Sequence, residues 1–179
     1  WNHPKYGFIS PATFIPILEK NDLIFDVTDW IIQQVCNQLV EWREKNTPVS
    51  KVSINIPGKY VTNPHLVDIL MRMIKNCQLT TDQIELEITE TSYVGNINEA
   101  MIAVENFRRL GFLVALDDFG TGYSSLNYLK NFPIKCLKID KSFIDEINNN
   151  KRDYAITDSI IDLVHNLGIH TVAEGIETV

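Results

Sequence analysis

From Val52 onward, short runs of β-forming residues alternate with stretches whose apolar residues recur at helical spacing, and this alternation narrows the fold more than any other feature of the chain. Val52-Ser53-Ile54-Asn55 alternates apolar and polar side chains and stops at Pro57-Gly58. A helix predicted over about 64–76 carries Leu66, Leu70 and Ile74. Ile84, Leu86 and Ile88 then alternate with Glu85 and Glu87 in a second strand, and a helix from near Asn98 carries Met101, Val104, Phe107 and Leu110 before Gly111 closes it. Leu113 to Asp117, Lys135 to Ile139 and Ile169 to Glu174 predict the third, fourth and fifth strands. A short helix capped by Ser124 or Ser125 is expected after the glycine-rich turn at 118–122, followed by helices over about 141–148 and 154–166, with Gly168 as the last cap. Ahead of the first strand, Ser10-Pro11 opens a short helix. A long helix follows from Asp22 to about Arg43, its apolar stripe drawn through Ile24, Val27, Trp30, Ile31, Val35, Leu39 and Trp42.

Strands that alternate with covering helices pair in parallel through right-handed crossovers, which leaves either an open doubly wound sheet or a closed barrel. Periodicity does not choose between them. With 45% hydrophobic and 22% charged residues over 179 positions, the chain has the makings of one ordinary globular domain with a sizeable core. The formal net charge of −7 argues against a DNA or RNA polymer and against direct contact with an anionic membrane surface, so any phosphate chemistry needs a cation. No run approaches the roughly 18 apolar residues of a membrane span, and the start lacks a signal-peptide pattern. Cys36, Cys77 and Cys136 are odd in number and widely spaced, which favours neither a disulfide framework nor a zinc cluster and points to a reducing, cytoplasmic compartment, although a longer parent protein could be membrane-anchored. Because the chain opens on Trp1 and stops at Val179 just after a strand-like run, residues 1–179 are read as one domain truncated at both ends.

The chemistry lies where the strands end. Asn55, Glu87, Asp117, Lys138 and Glu174 all fall at or near the carboxyl end of a predicted strand, the end that carries the active site in β/α barrels. Strand alternation sets Glu85 and Glu87 opposite Ile84, Leu86 and Ile88. It likewise sets Lys138 with Cys136, and Glu174 with Val172 and His170, opposite Leu137, Ile139, Thr171 and Ala173. Several carboxylates around one opening repel one another unless they are protonated or bridged by a cation. Oxygen ligands without a Cys or His pair favour Mg²⁺ or Mn²⁺. The adjacent Asp117 and Asp118 are placed to touch two ions at the roughly 3.5–4 Å spacing of two-metal hydrolases. His3, His65, His165 and His170 show no paired ligand spacing and are expected at the surface or in the core, whereas Trp30, Trp42 and Phe107 are expected in the core.

These residues resemble the EAL-domain phosphodiesterases that hydrolyse cyclic di-GMP, through SINIPG around Asn55, LEITETS around Glu87 and Glu90, LDDFGTGYSSL from Leu116, LKIDKSFI from Leu137 and VAEGIET at the end. The resemblance runs from Pro11 to Thr178 and implies an α/β fold, an incomplete TIM-type (β/α) barrel with parallel strands and outer helices. It implies Asn55, Glu87 and Asp117 as ligands of one ion, Asp117 with Asp118 as ligands of the second, and Glu174 at the second ion or its water. Lys138 takes the place of the catalytic lysine, and Glu90 that of the residue anchoring the glycine-rich loop. Gly120, Gly122, Tyr123, Ser124, Asp140 and Glu177 belong to the same motifs and are weaker candidates for substrate or loop contacts. The family's Glu-Ala-Leu tripeptide would lie just before Trp1 and its last strand, with a glutamine, beyond Val179; a closed barrel of eight strands would need two more at the start and one at the end. The resemblance also implies a possible homodimer and regulatory or sensor domains in a longer parent. Two other readings stand beside hydrolysis: a catalytically inactive receptor for cyclic di-GMP or a protein-interaction module, and an enolase-type enzyme using Lys138 for metal-assisted proton abstraction, which the DDFGTGYSS loop opposes.

Overall fold

The computed structural model describes residues 1–90, 97–120, 129–145, 147 and 150–176. Gly122, Tyr123, Ser124, Ser125, Asn148 and Glu177 therefore lie outside the described residues, together with the helix expected after the glycine-rich turn.

Local chemistry sets the element boundaries. A small antiparallel hairpin of β1 (Asn2–His3) and β2 (Gly7–Phe8) precedes α1 (Pro11–Lys20), which starts on a proline preorganised for the first helical turn. Next comes α2 (Leu23–Glu44), then β3 (Val52–Asn55), a single turn α3 (Gly58–Val61) and α4 (Pro64–Cys77). The Asn63 side chain accepts the His65 N–H at the start of α4, and Gln78 ends it in a left-handed conformation. A capping box of Thr80 and Gln83 shapes the 3₁₀ turn Thr81–Gln83 that feeds β4 (Ile84–Thr89). The chain continues through α5 (Ile97–Arg109), β5 (Leu113–Phe119), β6 (Cys136–Ile139), α6 (Lys141–Ile144), α7 (Lys151–Asn166) and β7 (His170–Ala173). No described helix is long and apolar enough to cross a membrane.

The five strands β3 to β7 form one parallel sheet in sequence order, β3-β4-β5-β6-β7. A doubly wound sheet would reverse its strand order at a switch point, whereas unbroken succession is how a β/α barrel wall is built. One face of the sheet is apolar: Ile54, Leu86, Ile88, Val114, Leu116, Leu137 and Ile139 are buried in a single cluster with Ile32, Leu39, Leu70, Val104, Phe107 and Val164 from the helices. Burial of each such side chain contributes on the order of 1.5–3 kcal/mol, so this face holds the helices in place. The opposite face carries Glu85, Glu87, Asp117 and Lys138, with Leu113, Ala115 and Cys136 between them.

The buried stripe of α2 differs from the expected one. It runs through Ile24, Thr28, Ile32, Cys36 and Leu39, and Trp30 is 60% exposed rather than part of the core. Thr28 enters the interior because its hydroxyl donates to the Ile24 carbonyl at 2.7 Å, so its polar atom is satisfied within the helix. Trp30, two residues further on, is then rotated to the outer side. Phe107 is buried and Trp42 packs partly buried against the core.

Candidate metal centre at the carboxyl end of the sheet

Four strands direct ionisable groups to one locus. Glu87 lies near the end of β4, Asp117 in β5 and Lys138 in β6. Glu174 directly follows β7, and its N–H donates to the Ile139 carbonyl at 3.1 Å, which carries the ladder one residue further and keeps its side chain in strand alternation. The Lys138 Nζ sits 3.1 Å from Glu87 Oε1, 3.1 Å from Asp117 Oδ1 and 2.6 Å from Glu174 Oε1. Its side chain is only 15% exposed, and those of Glu87 and Asp117 no more than 10%. Burial alone would lower the lysine pKa, but hydrogen bonds from its ammonium to Glu174, Glu87 and Asp117 outweigh that and hold it well above the ordinary lysine range.

Asp118 reaches the same place by a break in the strand. Simple alternation would turn two consecutive residues to opposite faces. Leu116 stands opposite Leu137 and Phe119 opposite Ile139, so Asp117 and Asp118 together face the single residue Lys138, which is a β-bulge. Asp118 takes a left-handed backbone with φ of 53°, a conformation Asp tolerates better than most side chains, and its N–H donates to Asp117 Oδ1 at 3.0 Å. Carboxylate oxygens of Asp117, Asp118 and Glu174 consequently all lie within 4.8 Å of one another. Burial, followed by the charges of Asp117, Asp140 and Glu174, raises the Asp118 carboxyl pKa, with Lys138 opposing. A cation among these oxygens would relieve that repulsion, and a set of carboxylates alone fits Mg²⁺ or Mn²⁺.

The other sequence candidates are spread around this cluster. Glu90 is buried, and its Oε2 accepts the Gly120 N–H at 3.1 Å. Gly120 has φ of +102°, and a Cβ there would fall 2.4 Å from the Phe143 ring. Asn55 is exposed at the end of β3, level in register with Glu87. Asp140 caps α6 by accepting the Ser142 N–H at 2.9 Å, and its pKa is lowered by hydrogen bonds from the Ser142 hydroxyl and N–H. Glu85, which the sequence placed on the inner face without a role, is bound by Lys51 at 2.6 Å and the Ser53 hydroxyl at 2.9 Å, one pleat below Glu87. Sequence reading missed the bulge; the signal available for it was a pair of adjacent acids inside a strand.

The EAL domain family model matches residues 1–179. Cyclic di-GMP phosphodiesterase PA2567 of Pseudomonas aeruginosa is 34% identical over 178 residues, covering 99% of this chain and 30% of that protein. Signaling protein YkoW of Bacillus subtilis is 39% identical over 167 residues, covering 93% of this chain and 21% of that protein. The chain thus spans less than a third of the length of these curated relatives. Among solved structures, the PaMucR phosphodiesterase in its c-di-GMP complex matches with a TM-score of 0.92 at 34% identity, over 99% of this chain and 72% of that one. The EAL enzyme Bd1971 in its cAMP- and cyclic-di-GMP-bound form matches with a TM-score of 0.91 at 36% identity, over 99% of this chain and 49% of that one.

Proposed function

Because the chain belongs to the EAL domain family, we propose that its acidic rim opens one 3′–5′ phosphodiester linkage of cyclic di-GMP with water, giving linear pGpG. The observation that carries this reading is the convergence of Glu87, Asp117 and Glu174 on Lys138, with the bulge adding Asp118. Relatives of this chain are named as cyclic di-GMP phosphodiesterases, which supports the substrate class.

Asn55, Glu87 and Asp117 would hold one Mg²⁺ or Mn²⁺ and Asp117 with Asp118 a second, Glu174 serving the second ion or its water. When bound, such ions supply Lewis acidity, neutralising phosphate charge and making a water more acidic. The residues of the chain supply the rest. Lys138, held fully charged at neutral pH, orients the attacking water and offsets charge growing on the phosphoryl oxygens in the transition state. Glu90 fixes Gly120, and through it the short segment that presents both aspartates. The new bond joins water oxygen to phosphorus, and the bond from phosphorus to the 3′ oxygen breaks. Such a domain would act in the cytoplasm as part of a longer signalling protein.

The test is chromatographic. The chain is incubated with cyclic di-GMP and Mg²⁺ or Mn²⁺, with parallel reactions in chelator and with Lys138→Ala. Formation of pGpG that chelator and the substitution both abolish supports the proposal. Tight binding of cyclic di-GMP with no pGpG under either metal would instead make the domain a receptor.

A further inference from the structure

Directly after two of the acid-bearing segments stands a glycine with positive φ: Gly120 at +102°, just past Asp117-Asp118-Phe119, and Gly175 at +74°, just past Glu174. Both glycines face side chains of the same short helix. A Cβ on Gly120 would lie 2.4 Å from Phe143 Cε2 and 2.6 Å from Cζ, and a Cβ on Gly175 would lie 2.5 Å from Lys141 Cγ. Lys141 and Phe143 both belong to α6, which follows the strand of Lys138 after a single residue, Asp140. Two residues apart on a helix, they point about 200° from each other. The helix therefore shows one side chain to the β5 turn and the other to the β7 turn. Its start is pinned by Asp140, which accepts from the Ser142 N–H at 2.9 Å, and the half-buried Phe143 packs against the hydrophobic core.

We propose that α6 is a two-sided spacer which sets the separation of Asp117 and Asp118 from Glu174, with Phe143 a positioning residue acting through Gly120 and Lys141 a weaker one acting through Gly175. The inference rests on the metal-dependent reading above. Phe143 has the stronger effect because its ring is rigid, whereas the Lys141 stem can bend. Gly120 is required because its backbone passes too close to the rigid Phe143 ring to carry a side chain, and at Gly175 the positive φ adds to the crowding by the Lys141 stem.

The test compares Phe143→Ala, Phe143→Leu and Lys141→Ala with the unsubstituted chain, each first checked for a cooperative unfolding transition. Two quantities are measured: Mn²⁺ affinity by calorimetry without substrate, and amide hydrogen exchange around Asp118 and Glu174. Phe143→Ala should weaken Mn²⁺ binding about tenfold or more, the scale on which groups behind metal ligands act, and should speed exchange in both segments. Phe143→Leu should fall between, and Lys141→Ala should show a smaller effect confined to the Glu174 side. A folded Phe143→Ala with unchanged affinity and exchange overturns the spacer, and if that variant does not fold, Phe143→Leu decides in the same way. If the unsubstituted chain neither binds Mn²⁺ nor hydrolyses cyclic di-GMP, the functional reading fails, and the exchange data alone still decide the spacer.

Discussion

Replacing Lys138 by methionine removes one positive charge while keeping most of the volume, and the structure states what is left behind. Glu87 and Asp117 would remain with side chains no more than 10% exposed, beside Glu174, with the lysine gone that lies 3.1, 3.1 and 2.6 Å from the three. Removing one partner of a buried ion pair costs about 3–5 kcal/mol, because the surviving charges stay desolvated. At about 2–4 °C per kcal/mol for a domain of this size, the unfolding midpoint of Lys138→Met in chelator at pH 7 should fall by roughly 6–20 °C. The pH dependence has a definite sign. Asp118 already has a folded pKa above its unfolded one, so its favourable contribution is complete only below the unfolded value and is lost as pH rises through the folded value. Lys138 opposes that shift, and removing it pushes the Asp118 carboxyl further up. Acidification through the carboxylate range should therefore narrow the gap between variant and parent, and saturating Mn²⁺ should narrow it at pH 7. Calorimetric melting across pH checks both. An unchanged midpoint in chelator, or a gap that widens on acidification, would refute the electrostatic reasoning.

Asp118→Gly keeps a residue at ease with φ of 53° while deleting a carboxyl that its neighbours repel; stability in chelator should hold or rise, and Mn²⁺ affinity should drop. Paired calorimetry and melting curves read the two effects separately. Thr157 is fully buried on α7, and its hydroxyl has no hydrogen-bond partner among the described residues. Thr157→Val should accordingly stabilise the domain by about 1 kcal/mol in urea unfolding, since an unsatisfied buried polar atom is replaced by a methyl of similar size.

The five strands and the long helices are legible in the sequence because their periodicities extend over whole elements, and strand alternation is stiff enough to place Glu87, Lys138 and Glu174 on one face, as the structure has them. The hairpin of β1 and β2 and the single turn α3 are too short to leave a period. The apolar stripe expected for α2 includes Trp30 and leaves out Thr28, whereas a hydroxyl bonded to its own helix is at home in a core. Alternation also misleads at Asp117-Asp118, where the bulge, visible only once Leu116 and Phe119 are paired with β6, brings both acids to one side. The role of α6 depends on contacts between segments far apart in sequence, which no local pattern records.

Anomalous scattering from crystals of the chain soaked in Mn²⁺ tests the central claim most directly, since it locates the ion independently of any assay. Density is expected among the carboxylates of Asp117, Asp118 and Glu174, with Lys138 displaced from at least one of them. Ordered carboxylates with no peak there at saturating Mn²⁺, or peaks only elsewhere on the surface, would contradict it.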